Sequence, residues 1–235
     1  MQRLDFGVYM QLAEKIPIFT CNMCGSCCKM SPISVLPHEV IVLKELADSL
    51  GIDVSLTHGY VVYEAISGVN LAFSYVMHPV NGQCPFLDGN KCLIHFVYKP
   101  YICKSFPYIP RHVKYSIDNI NKYIMASADY GLSLACQVVR RDREVLSKFS
   151  HMPGIIVHYL KAEHLTAMEA ENARSLLLLA LSKLWRRGLV EIKASRPGVP
   201  VVNLYEFLRR FYPDLPSVLG VDKVASRIRS WAKGY

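Results

Sequence analysis

The chain has 235 residues, a formal net charge of +8, 51% apolar residues and 20% charged ones. That length can bury a core without covalent staples, and that composition excludes a disordered or solvating chain. MQRLDFGVYM at the start carries no signal-peptide core or small-residue cleavage site. The longest apolar run, LLLLAL at 176–181, falls far short of the roughly 20 residues a membrane span needs. The expectation is a soluble, cytoplasmic protein with no membrane span. In that compartment thiols stay reduced, so clustered cysteines point to metal or catalysis before disulfides. Disulfide pairing, as inside hyperthermophiles, is the rival reading.

CNMCGSCCKM, residues 21–30, holds four of the eight cysteines. Cys27 and Cys28 are adjacent, and neighbouring side chains in a tight turn diverge, so one tetrahedral ion suits both poorly. SPISVLP reads as a short extended stretch, and Pro37 suits the first turn of a helix. In PHEVIVLKELADSLG, Val40, Leu43, Ala47 and Leu50 fall near a 3.6-residue period. Glu39, Lys44 and Asp48 lie off that stripe, and Gly51 is the stop. Leu71, Phe73, Tyr75 and Met77 alternate with smaller or polar residues, as in a half-buried strand paired with GYVVYEA.

CPFLDGNKCLIHFVYKPYICKSFPYIP brings three more cysteines. Asp88-Gly89-Asn90 is a turn that folds Cys84 toward Cys92. Pro100 and Pro107 keep the approach of Cys103 out of regular structure, and Cys136 follows in a helix or loop. Beyond residue 143, REVLSKF, GIIVHYLKAEHL and TAMEAENARSLLLLALSKLWRRG have helical patterns, with Gly188 as a cap. LVEIKASRPGVPVVNLYEFL reads as strand–turn–strand about Pro197-Gly198, and LYEFLRRFY and KVASRIRSWAKGY carry arginines beside apolar residues.

Charge divides the chain unevenly. Residues 1–145 hold 13 Lys and Arg against 12 Asp and Glu, a net of +1, whereas residues 146–235 hold 14 against 7, a net of +7. All eight cysteines lie in the first part. The expected architecture is α+β: a cysteine-rich metal-binding domain over 1–145 and a basic, mainly helical region over 146–235, packed together.

Thiolates prefer soft or borderline metals, chiefly zinc and iron–sulfur clusters. Cys21, Cys24, Cys27, Cys28, Cys84, Cys92, Cys103 and Cys136 match two four-thiolate sites or one larger cluster, with Cys136 the least tied to the motif. The divergence of Cys27 and Cys28 suits a split in which each neighbour serves a different ligand set. With so many thiols, His38, His58, His78, His95 and His112 read as surface or hydrogen-bonding residues. Lys29 and Lys104, next to cysteines, suit the offset of a thiolate site's negative charge.

The opening CxxCxxCC, the C-P-F-L segment, the C-x-I-aromatic step and the K-P-x-x-C-x-x-aromatic-P ending resemble the YkgJ-type cysteine-cluster family, whose signature also occurs in flagellin lysine N-methylases. Cys21, Cys24, Cys27 and Cys28 match the opening. Cys84, Cys92 and Cys103 match the second block, with Pro100 and Pro107 at its prolines. His95 departs from an aromatic position, and Lys99 and Lys104 from positions where Arg is frequent. The resemblance covers roughly residues 18–110 and implies chelation of zinc or iron.

Three functions follow as expectations. The first is a protein that holds an iron–sulfur cluster or zinc. The second is a modifying enzyme in which the cluster assists chemistry on a protein side chain, although no cosubstrate motif is visible. The third is a zinc-stabilised module that binds a protein or nucleic acid. For that module the candidate surface is Trp185-Arg186-Arg187, Arg209-Arg210 and Arg227-Ile228-Arg229, and the helix–GLVEIK–SRPG–VPVVNL order hints at a winged-helix wing.

Overall fold

The computed structural model describes residues 16–30, 32–150 and 154–232. A single turn of 3-10 helix over Ser26–Lys29 is followed by β1 (Ile33–Val35) and α1 (Pro37–Leu50). Pro37 opens α1 as expected, and Gly51 closes it in the left-handed region, at φ 62°, where its N–H reaches Ala47 O and Asp48 O. Val40, Leu43 and Ala47 are buried. Glu39 is buried too, at 1% exposure, although it lies off the apolar stripe. A charge survives burial only when paired or hydrogen-bonded, and three donors reach this one. Leu36 N–H donates to Oε2 at 2.9 Å, while Tyr98 O–H at 2.9 Å and Tyr101 N–H at 2.7 Å donate to Oε1.

The alternating stretch at 71–77 is two strands and not one. β3 (Val61–Glu64) pairs with β4 (Val69–Ala72), whereas β5 (Tyr75–Met77) lies between β1 and β2 (Leu56–His58) in a second antiparallel sheet. The chain crosses between sheets at Ser74, whose carbonyl accepts from Gly59 N–H. A Cβ on residue 59 would stand 2.5 Å from Ser74 Oγ and 3.3 Å from Ser74 O, so a larger residue there would displace Ser74 from this crossing.

β6 (Leu87–Asp88) and β7 (Lys91–Cys92) form the hairpin expected of the Asp-Gly-Asn turn. α2 (Tyr101–Ser105) carries Cys103 in a single helical turn between Pro100 and Phe106, where irregular chain was expected. Pro100 stands at its N-cap, a position that costs no helical hydrogen bond. Next comes a long antiparallel hairpin, β8 (Tyr108–Asp118) and β9 (Tyr123–Leu132), that the sequence reading did not anticipate. Its turn is held by Asp118, whose Oδ1 accepts from Ile120 N–H and Asn121 N–H.

α3 (Gln137–Lys148), α4 (Ile155–Tyr159) and the 26-residue α5 (Lys161–Arg186) follow, and α5 packs on β9 and α2. β10 (Ile192–Ala194) and β11 (Val201–Asn203) do form around a Gly198 turn, yet they do not pair with each other. They sit at opposite edges of the sheet β10-β3-β4-β11, so they make no hairpin wing. Side chains hold them there: Asn70 Nδ2 donates to Arg196 O, Arg196 N–H donates to Asn70 Oδ1, and Asn203 Nδ2 donates to Pro37 O. One sheet and one core therefore draw on residues from both sides of position 146. α6 (Leu204–Arg209), α7 (Leu215–Val218) and α8 (Val221–Ala232) complete the chain, with α8 against α1. Among the described residues, no helix is long and apolar enough to cross a membrane.

Trp185 belongs to this core, at 2% exposure, with its indole N–H donated to Glu191 Oε2, so it leaves the expected basic surface. His38 is buried at 3% exposure between Tyr101 and Tyr205, rather than lying at the surface.

Two outcomes test these buried groups. Glu39→Ala leaves three donors without an acceptor, and we expect a loss on the order of 3 kcal/mol in urea unfolding, with Glu39→Gln losing less. Burial pushes the His38 imidazole down to about 4. The unfolded chain takes that proton near 6.5, so native stability is intact above that pH and falls as pH drops toward 4. The loss by pH 4.5 is ~2–3 kcal/mol. His38→Phe should flatten the dependence over this window, and an unchanged dependence would count against the assignment.

Candidate metal centre

Short-range contacts assemble the centre from three parts of the chain. Gly25, at φ 71°, starts the 3-10 turn that carries Cys27 and Cys28. A side chain there would be strained and would press within 3.4 Å of Asn90 Cα and O. Lys29 Nζ donates to Asn90 Oδ1 at 3.0 Å, which binds the opening turn to the β6–β7 hairpin. Cys84 N–H donates to Cys28 O at 2.6 Å, and Gln137 Nε2 reaches Ser26 Oγ at 3.4 Å from the start of α3.

The result is a cavity of about 270 Å³ lined by the thiols of Cys27, Cys28, Cys84, Cys92 and Cys103. Its other walls are mostly apolar, with Met77, Phe86, Ile94, Ile102 and Phe106 among them, and Lys99 is its cation. The expected divergence of Cys27 and Cys28 is not what their geometry shows. Their Sγ atoms are 3.9 Å apart and both residues line this cavity.

The remaining three thiols gather beside it. Cys136 feels the charges of Cys21 and Cys24, and Cys24 feels that of Cys27. Cys136 is buried in a smaller core with Val138, Val139 and Tyr159, at the N-cap of α3, whereas Cys21 is exposed. Cys27 thus stands where the two groups meet. All eight thiols are free. Among the described residues, no three Cys, His, Asp or Glu side chains stand close enough in this arrangement to hold one ion.

The thiols differ in acidity. A hydrogen bond from Cys28, with Lys99 assisting, brings Cys27 down to about 6. Its partner Cys28 is pushed far up by the same shared proton and by burial. Burial raises Cys84, Cys92, Cys103 and Cys136. Cys24 is lowered by its hydrogen bond with Ser26, 3.2 Å away. The cavity therefore holds neutral thiols beside one easily formed thiolate. Soft donors in a mostly apolar cleft suit a thiophilic cation, whose charge would replace those protons.

The expected histidines stay apart from this cavity, save His78, which lines it and shares a 2.7 Å hydrogen bond with Thr57 Oγ1. Lys104 stacks over Tyr98 and Tyr101, and Lys29 is held by Asn90, so neither lines it. Sequence reading missed Lys99 as the cavity's cation. Its signal was the lysine two residues before the helix-starting Tyr-Ile-Cys, on the segment that ends at Cys103.

The site is a mostly apolar cavity lined by five cysteines. Residues 20–130 match the family CxxCxxCC, described as a putative zinc- or iron-chelating domain. The match takes in seven of the eight cysteines and ends before Cys136. Comparison with curated proteins gives no match, and comparison with solved structures gives none.

Gly25→Ala should lower stability by about 1 kcal/mol, from its positive φ alone. A denaturant midpoint unchanged from the parent would mean that the turn relaxes freely.

Proposed function

We propose that this protein is a metal-cluster protein in which its eight cysteines form two neighbouring thiolate sets that hold zinc or an iron–sulfur cluster. Cys28, Cys84, Cys92 and Cys103 make one set, inside the apolar cavity. Cys21, Cys24 and Cys136 make the other, with Cys27 completing it from the junction. The observation that carries this reading is the placement of Cys27, which lines the cavity with Cys28, Cys84, Cys92 and Cys103 and stands three residues after Cys24 in the opening motif. At 3.9 Å from Cys28 Sγ it is near enough to link the sets. The present spacing of the thiols means that metal must draw them inward as it binds. A cation also removes the cost of ionising thiols in an apolar cleft, and Lys99 offsets part of the remaining negative charge.

The enzyme reading and the nucleic-acid module draw no support from a specific contact in this fold. Among the arginines expected to form one basic surface, Arg209 lies over the Tyr205 ring, Arg227 donates one hydrogen bond to Phe96 O and Arg229 donates to Ser226 Oγ.

The test is anaerobic purification followed by metal analysis and an absorption spectrum. Colour with bound iron and sulfide identifies an iron–sulfur cluster, whereas zinc is spectrally silent. We expect more than one metal ion per chain, and Cys27→Ser and Cys28→Ser should each reduce the metal content. A fully loaded protein with one zinc and no iron would overturn the two-set arrangement. Retention of all metal by Cys28→Ser would overturn it as well.

A further inference from the structure

A second cavity lies across the Phe96–Lys104 segment from the thiols. It has a volume of about 370 Å³ and sits between that segment, the start of α1 and the start of α8. This volume falls in the range of small-molecule sites. Lys99, Lys104, Lys223 and Arg227 line it, together with His38 and His95. Among the described residues, no carboxylate does. Glu39 lies behind the wall with its oxygens already taken by three donors, and Asp222, in the first turn of α8, is not part of the lining. Four cations converge, then, on one concave surface lined by no carboxylate, with Glu39 and Glu163 acting only on Lys104 and Lys99 from outside the lining. Gathering like charges costs free energy that an anion would recover.

Two further features point to a ligand. Leu219, Gly220 and Val221 bring the start of the 12-residue α8 to the cavity wall. The first helical bond there runs from Val224 N–H to Gly220 O, so the preceding N–H groups stand at the positive end of the helix. Independently, His38 lines the cavity while almost wholly buried, and its Nδ1 has no hydrogen-bond partner. A buried polar atom without a partner is costly and calls for one.

The cavity opens into a shallow cleft lined by Phe96, Val97, Ser226, Arg227, Ser230 and Trp231. Phe96 is 83% exposed there, an apolar ring kept in water next to four cations. Arg227 donates to the Phe96 backbone carbonyl at 2.7 Å, which ties α8 to this segment. Flat rings stack on exposed aromatic faces, and phosphates pair with Lys, Arg and helix N-termini.

We propose that this double cavity binds a nucleotide, with its phosphates among Lys104, Lys223, Arg227 and His38 and its base against Phe96. The concave shape selects a mononucleotide over a strand. The site is separate from the thiol centre, and Lys99 lies between them, lining both cavities.

The test is calorimetric titration of the full chain with ADP, pyrophosphate and adenosine, with metal content measured on every variant. ADP should bind, pyrophosphate more weakly, and adenosine weakest. Lys223→Glu, at an exposed position, should weaken ADP and pyrophosphate at least about tenfold. Phe96→Ala should weaken ADP about tenfold and leave pyrophosphate unchanged. Lys193→Glu, exposed on β10, changes the net charge equally and should have no effect. The proposal is overturned by absence of ADP binding at millimolar concentration. An equal loss in Lys193→Glu, or binding of a single-stranded oligonucleotide without ADP, would overturn it too. Unchanged metal content in Lys223→Glu and Phe96→Ala separates this result from the fate of the thiol centre.

Discussion

One buried carboxylate governs where the chemistry of this protein stands. Glu39 sits in the first turn of α1, and its two oxygens take a hydrogen bond from the residue before that helix and two from the segment that leads into α2. Through Tyr98 and Tyr101 it fixes the chain on either side of Lys99 and just before Cys103. A charge inside the core costs several kcal/mol unless satisfied, so this junction is specific as well as stable. The segment it holds is also a partition. Thiols face it on one side and cations on the other, and both cavities inherit their shape from it.

The parts of the fold that were readable in the sequence are those coded by local chemistry. Pro37 and Gly51 bracket α1 because each suits a backbone conformation at a helix end. Asp88-Gly89-Asn90 makes the β6–β7 hairpin for the same kind of reason. The grouping of the cysteines was legible through spacing, and the cavity brings five of them together. Tertiary choices were not legible. Glu39 looks exposed by periodicity and is buried, because its partners lie some sixty residues away. The alternation at 71–77 is continuous in sequence, yet Gly59 and Ser74 meet closely enough to switch the chain between two sheets. β10 and β11 read as a hairpin, but side-chain amides on Asn70 and Asn203 draw them to opposite edges of another sheet. The β8–β9 hairpin has the alternation of a strand pair in RHVKYSID and YIMASADYGL, and its Asp-Asn-Ile-Asn turn was the signal that could have revealed it.

Adjacent cysteines offer a similar lesson at atomic scale. Side chains diverge from neighbouring residues in extended chain, where they alternate across a strand. In a 3-10 turn they advance by only a third of a revolution, so both can reach the same side. Gly25 supplies the positive φ that begins that turn. The glycine inside CxxCGSCC is therefore part of the thiol geometry, because it sets the direction in which Cys27 and Cys28 leave the backbone.

The uneven charge of the sequence acquires a physical reading in the same way. Cysteines fill the first part of the chain and the excess of cations fills the last, so in one dimension they look like properties of separate regions. In the fold, Lys223 and Arg227 of α8 come to the outer side of the segment whose inner side faces the thiols, beside Lys99 and Lys104. Thiolates holding a cation there would leave net negative charge in a mostly apolar cleft. Positive charge a short distance behind the wall lowers the cost of that arrangement without occupying the cleft or competing for the donors. Because Lys99 contributes to both cavities, the balance of charge on one side of the wall enters the energetics of the other. The basic C-terminal region and the cysteine region are thus electrostatically one unit, joined through the segment that Glu39 holds.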